Sequence, residues 1–285
     1  MAAVPIPPPG KALAGPGSGF IVAGLAIIIF YIAVAVAAPY IAPYSPYSKV
    51  GDVAEHPSPP SLKHPFGTNE IGYDMFSRVV LGTRIVLKVV LLSSVMGLII
   101  GVPLGLVSGY FGGPLDRVLS IIMDSLYAFP GIVLAIAIAS VLGPSVINAA
   151  IALMVVYVPA YFRMTRARVI ETKTQDYIVA LRVLGAPHSR IMSRHILPGV
   201  MPTVLVVYGL ASADAILTEA GLSFFGLVVT YPAPDWGLDI SYGIKQFLSG
   251  SWWLTLFPGL AILTLALGFA MVGEGLAERF RARAV

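Results

Sequence analysis

Six apolar stretches alternate with polar ones along the chain, at about residues 20–42, 85–108, 118–142, 146–162, 200–218 and 254–272. A helix needs about 20 apolar residues to cross the hydrocarbon core of a bilayer. Backbone polar groups in lipid must also be satisfied within the segment, which leaves a helix as the natural form of each stretch. The pattern predicts an all-α integral membrane protein with six transmembrane helices. The polar intervals divide it further: a tail over 1–19 expected to be disordered, the first helix over 20–42, an extracytoplasmic loop over 43–82, a five-helix core over 83–277 and a short tail over 278–285. The first apolar stretch also offers small-residue cleavage patterns at Ala33, Ala35 and Ala37. Its length exceeds the usual core of a signal peptide, which favours an uncleaved span.

Residues 163–198 form the longest polar interval of the second half. They carry Arg163, Arg166, Arg168, Lys173, Arg182, Arg190 and Arg194 against Glu171 and Asp176. Positive charge gathers on the cytoplasmic side of membrane proteins, so this interval is expected there. With six spans both termini then fall inside. The cytoplasmic side holds 12 of the 18 lysines and arginines, including Lys11, Arg117 and the three C-terminal arginines, and the outer side the other 6. Tyr177, Leu181 and Leu184 recur at i, i+4 and i+7, and Gly185 stands where a helix would end. Pro187 suits a first helical turn. A second short helix is expected through Ile191 to Ile196, broken by Pro198.

Composition narrows the class. The chain is 57% hydrophobic and 11% charged, with mean hydropathy +0.87, whereas soluble domains carry about 25% charged residues. Six spans within 285 residues leave no room for a separate enzymatic domain. The net charge of +4 and pI near 9.3 follow from topology, so membrane lipid rather than nucleic acid is the expected surround. There is no cysteine, which removes disulfides and thiolate chemistry.

Some residues in the apolar stretches need their own account. Gly97, Gly101, Gly105 and Gly109 recur at a strict four-residue interval and line one helix face, where a neighbouring backbone can approach closely. That face suits packing inside one subunit or a seam between subunits. Pro103 is expected to kink the same span. Asp116 and Asp124 lie near the inner end of the third span and are read as interfacial partners for Arg117 or for the basic interval. Asp214 and Glu219 lie in the fifth span, where an ionisable side chain demands a role; Glu219 either holds the outer end of that span or lines a path. Tyr231, Trp236, Tyr242, Trp252 and Trp253 suit an aromatic belt at the membrane boundary.

Three stretches carry a family resemblance. Residues 176–198 match in part the coupling loop of ATP-binding-cassette importer permeases, with Ala180, Gly185, Leu197 and Pro198 in place, while Val179, Leu181 and His195 depart from the pattern. HPFGTNEIGYDMFSRVVLGTR, residues 64–84, and EAGLSFFGLVVTYPAPDWG, residues 219–237, resemble recurrent stretches of the C-type permeases of dipeptide, oligopeptide and nickel importers. Asn69, Tyr73 and Phe225 depart from those patterns. The resemblance, over about residues 60–275, implies a type I ABC importer permease fold with a cytoplasmic coupling helix. It further implies a second homologous permease, two ATP-binding-cassette ATPase subunits, an extracytoplasmic solute-binding protein, and a peptide cargo, with nickel or oligosaccharide as alternatives. Tyr177, Ala180, Leu181, Leu184, Gly185, Leu197 and Pro198 would then form the ATPase-coupling knob. ATP and Mg would be held by the partners, since the only Gly-Lys pair, Gly10-Lys11, is followed by Ala and no phosphate loop occurs. His56, His64, His188 and His195 all fall in expected loops and show no H-E-x-x-H pairing, so no metal, cofactor or catalytic residue is expected in this chain. An ion-gradient-driven transporter is the alternative of another class, with Asp214 and Glu219 as its ion sites.

Overall fold

Asp74 starts the longest helix: its carboxylate accepts from the Ser77 amide at 2.8 Å, satisfying one of the free N–H groups that every helix start leaves. The computed structural model describes residues 15–50 and 57–282. Residues 1–14 of the expected tail, His56 and Arg283 lie outside the described residues. The helices run α1 (Ser18–Ile41), α2 (Met75–Phe111), α3 (Gly113–Tyr127), α4 (Gly131–Leu142), α5 (Val146–Thr172), α6 (Asp176–Val183), α7 (His188–Arg190), α8 (Leu197–Phe224), α9 (Trp236–Phe247) and α10 (Trp253–Arg281). The described residues contain no strand, only one isolated bridge between Thr68 and Asp74. Five helices are long and apolar enough to cross a membrane, or six when α3 and α4 count as one bent span.

Several spans differ from the reading of the sequence. The third is not one helix: it breaks at Ala128–Pro130 and turns by 90° between α3 and α4. Pro130 has no amide hydrogen to continue the ladder and disfavours helical geometry in the residue before it. The second span begins ten residues earlier than expected, and the fourth runs on to Thr172. The arginines after Phe162 extend α5 because long straight side chains are good helix formers whatever the solvent. The break expected at Pro198 does not occur. A π-helical segment over Ile191–Ile196 joins α7 to α8, so that His188–Phe224 is one long helix. The Leu197 amide reaches back to the Met192 carbonyl, a wide π turn directly before Pro198 that lets the helix pass a residue with no amide donor.

α2 packs most extensively on α5, through the glycine stripe. A Cβ on Gly101 would stand 2.7 Å from the Val158 carbonyl oxygen, and one on Gly105 would stand 2.6 Å from that of Phe162. The stripe is therefore an intramolecular seam between two helices, not a contact between subunits. Ser94 and Ser212 join α2 to α8 at 3.1 Å. The core lies between α2, α5, α8 and α10, filled by Val90, Leu153, Ile216 and Leu265, all fully buried. α1 lies against α10, where Gly24 meets the backbone at Gly268.

Trp236 and Trp253 are not in an aromatic belt. Trp236 is buried and donates its indole N–H to the Val79 carbonyl at 2.8 Å; Trp253 is buried and donates to the Thr68 carbonyl at 3.1 Å. α9, a short helix absent from the sequence reading, places Trp236 there, because Asp235 caps it by accepting from the Gly237 amide at 3.0 Å.

Candidate functional site

At one end of the helix bundle α6 forms a small projecting knob. Ile178 is its buried anchor and Leu181 its half-buried second contact, three residues on. Tyr177, Val179, Val183 and Leu184 point outward, with Val183 and Leu184 more than 80% exposed. The expected face of Tyr177, Leu181 and Leu184 is thus divided between inside and outside, since the inward position is taken by Ile178. Ala180 is exposed beside them. Gly185 ends the helix with φ +75° and has open space around it, the left-handed position at which glycine carries no steric cost. Leu197 and Pro198 stand farther along, past the π segment.

The knob is fastened to the spans by polar contacts the sequence did not reveal. Lys173 donates to the Gly109 carbonyl at 2.7 Å and so caps the C-terminal end of α2, where a cation is favoured. The Tyr110 hydroxyl and His188 Nδ1 lie 2.7 Å apart, and the Arg182 guanidinium stands 5.1 Å from the Tyr110 ring centre. Asp116 pairs with Arg166, accepting from Nε at 2.5 Å and Nη2 at 2.7 Å, and also accepts from Ser108. Asp124 pairs with Arg163 at 3.0 Å. The partners of both aspartates are thus arginines of the basic interval; Arg117 has no ion pair among the described residues. His188 and His195 belong to the helical run rather than to a loop.

A second feature is a cavity of about 570 Å³ where the α3–α4 break faces α5 and α8. Tyr127, Phe129, Val156, Met164, Val207 and Leu210 give it an apolar and aromatic wall, and Asp214 is its one carboxylate. Arg163 stacks on Tyr127 at 4.1 Å, which ties the rim of the cavity to the α3–α5 ion pair.

At the opposite end a buried polar network locks α2 to α9. Arg78 is fully buried; it donates to Asp239 at 2.7 Å and to the carbonyls of Pro232 and Ala233 at 2.9 and 3.1 Å. Its guanidinium lies 5.0 Å from the Tyr231 ring centre. Burial pushes the Asp239 carboxyl up to about 6, against the opposing pull of Arg78. Beside it, Asp235 accepts from Ser223 and its carboxyl is also raised by burial.

Glu219 is completely buried next to Asp235 and does not line the cavity. Both its oxygens and Asp235 Oδ2 lack another partner; a proton held between the two carboxyls serves one oxygen of each. Two adjacent buried carboxylates cannot both be charged. Glu219→Gln is therefore expected to keep the apparent melting temperature in detergent, since the amide donates to Asp235 in place of the shared proton. Glu219→Ala is expected to cost about 2–3 kcal/mol by leaving Asp235 Oδ2 without a neighbour to share a proton and a void beside it.

Sequence placed Asp116 and Asp124 with the basic interval, but it did not pair Arg78 with Asp239 or Glu219 with Asp235. Arg78 and Asp239 are 161 residues apart; the only signal was an arginine at the threshold of an apolar stretch, where a charge needs a partner.

The comparisons agree with this architecture. Residues 101–283 match the family described as binding-protein-dependent transport system inner membrane component, and residues 20–61 match the N-terminal TM domain of oligopeptide transport permease C. The dipeptide transport system permease protein DppC of Alkalihalophilus pseudofirmus is 39% identical over 90% of this chain and 84% of its own length. The di/tripeptide transport system permease protein DppC of Pseudomonas aeruginosa is 36% identical, over 90% and 85%. The probable D,D-dipeptide transport system permease protein DdpC of Escherichia coli is 34% identical, over 92% and 87%. The multi-span helical fold, the projecting knob and these matches together place the chain: it belongs to the family of binding-protein-dependent transport system inner membrane components, the membrane-spanning permease subunits of ABC importers.

Proposed function

We propose that this chain forms half of the translocation pathway of an ATP-driven peptide importer. The cargo reading rests on relatives named for dipeptides, di- and tripeptides and D,D-dipeptides. In this reading a second permease supplies the other half of the pathway, and an extracytoplasmic solute-binding protein delivers the peptide. Two ATPase subunits bind and hydrolyse ATP with Mg; this chain contributes no catalytic residue and no cofactor site. The end bearing α6 and both termini face the cytoplasm, in keeping with the excess of cations there.

The observation that carries the proposal is the knob. Val183 and Leu184 are held out, away from the bundle, on a two-turn helix anchored by Ile178. An exposed apolar tip at the polar end of a membrane protein marks a docking contact. Tyr177 and Leu184 fill a groove on the ATPase, while Ala180, Leu181, Gly185, Leu197 and Pro198 shape and support the tip. When ATP closes the ATPase pair, each knob follows its groove. Lys173, Tyr110 and His188 carry that movement to the spans, and the pathway alternates between its two openings.

Purification of the tagged chain from its native membrane tests the assembly. Co-purification of two P-loop subunits and a second permease, with ATPase activity, is expected; a homo-oligomer without ATPase would overturn the reading. Gly185→Val tests coupling. Valine at φ +75° costs about 1–2 kcal/mol of backbone strain and re-aims Leu184, whose loss as an interface anchor is worth about 2 kcal/mol. Peptide uptake into proteoliposomes is expected to fall by about tenfold or more while the complex stays in the membrane and ATP hydrolysis persists. Unchanged uptake would remove α6 from the coupling role.

A further inference from the structure

The helix packing leaves one mid-span carboxylate unused. Asp214 lies on α8 ten residues before its end at Phe224, roughly 15 Å along the helix axis; with that end at the edge of a hydrocarbon core about 30 Å thick, the carboxylate falls near mid-span. It is exposed on this chain's surface and opens into the 570 Å³ cavity. An exposed carboxylate at that depth faces a water-filled path, because lipid contact is costly there.

Its geometry is that of an acceptor held ready. The Tyr157 hydroxyl donates to Asp214 Oδ2 at 2.7 Å, and lies 3.2 Å from Thr218 Oγ1, which donates to the Asp214 carbonyl at 3.0 Å. These contacts fix one oxygen and the helix turn. The other oxygen, Oδ1, has no hydrogen-bond partner among the described residues, and none of their cations pairs with Asp214. The remaining wall is apolar and aromatic.

This chemistry selects a ligand group. This chain's half of the wall offers one carboxylate and the Tyr157 hydroxyl that bonds it, a sparse set beside the several oxygen ligands of a divalent cation or the many polar contacts of a sugar. A single carboxylate in an apolar wall suits one ammonium group attached to side chains of variable, often apolar, character. We propose that Asp214 receives the N-terminal ammonium of the transported peptide, the one cationic group shared by peptides of any side-chain composition, while Tyr127, Phe129 and Val207 pack against the adjoining side chain. The inference rests on the peptide reading above and adds a residue that reads the peptide within the permease.

The test uses the whole importer without nucleotide and without its binding protein, so that the binding protein's own selectivity is not read. A dipeptide with a free N-terminus and a benzophenone side chain is photolysed with the complex. Adducts are expected on α3, α5 or α8 around the cavity. An unlabelled free-amine dipeptide should compete at a concentration about tenfold lower than its N-acetylated form. Asp214→Asn, which keeps the Tyr157 hydrogen bond, should abolish that difference, and Asp214→Glu should retain it. Adducts elsewhere, equal competition in the wild type, or a difference that survives Asp214→Asn would each overturn the proposal. The wild-type competition is decisive even where a variant fails to assemble. ATP-driven uptake of the same dipeptide by wild-type proteoliposomes with binding protein checks the peptide reading separately; if that uptake is absent, it is the earlier reading that fails.

Discussion

Arg78→Ala is expected to lower the stability of the folded chain by about 3–5 kcal/mol, the cost of breaking a buried ion pair from one side. The effect is large because the Arg78 side chain serves four partners at once with no exposure to water. It holds Asp239, two carbonyls of the segment before α9, and the face of Tyr231. Deleting it leaves Asp239 buried without its counter-charge. Burial already pushes that carboxyl up, so the aspartate is driven to take up a proton rather than stay charged in the interior. The two carbonyls also lose their donors, and α9 loses its link to α2. Arg78→Lys is expected to recover only part of the loss, because an ammonium cannot present the planar fork that reaches a carboxylate and two carbonyls together. The check is the apparent melting temperature in detergent together with the amount of protein in the membrane. A wild-type melting temperature for Arg78→Ala would show that the network contributes little.

Gly101→Leu is the second substitution with a large expected effect, about 3 kcal/mol, at the upper end for overpacking. A Cβ there meets the Val158 carbonyl oxygen at 2.7 Å and Tyr161 Cβ at 2.6 Å. The first is backbone and cannot turn away, so α2 and α5 must separate. Their separation disturbs more than the seam. Asp116 and Arg166 bridge α3 and α5 beside it, and Lys173 at the end of α5 holds the end of α2 next to the knob. Reduced peptide uptake per ATP hydrolysed is therefore expected along with lower stability. Gly259→Leu is the control: that glycine has open space where a Cβ would go, and the substitution is expected to change stability by no more than about 0.5 kcal/mol. Equal effects at the two positions would mean that the seam is not close-packed.

The glycine stripe shows how sequence and structure divide the information. Four glycines at a four-residue interval state that a backbone comes close to that face, because nothing else repays the loss of side chains inside a helix. They do not state whose backbone it is. The third span illustrates the opposite failure. Its apolar run reads as continuous, and Pro130 was a visible signal, but a proline inside a span can kink a helix slightly or break it. The 90° turn that makes the cavity depends on α5 and α8 being there to receive the two halves.

What the sequence by itself determined is set by local and compositional physics. Apolar runs of bilayer length fixed the helical membrane class, and Gly185 and Pro187 marked the turn of the knob because their backbone preferences are intrinsic. What only the tertiary structure decided are the pairings between distant residues: Ile178 rather than Tyr177 facing inward, Trp236 in the core rather than at a membrane boundary, Arg78 on Asp239, Glu219 beside Asp235, and Asp214 held by Tyr157 with one oxygen free. A charge in an apolar stretch announces that it needs a partner or a path. Which of the two it has depends on what the folded chain brings within about 3 Å of it, the reach of a hydrogen bond, and no spacing along the sequence encodes that.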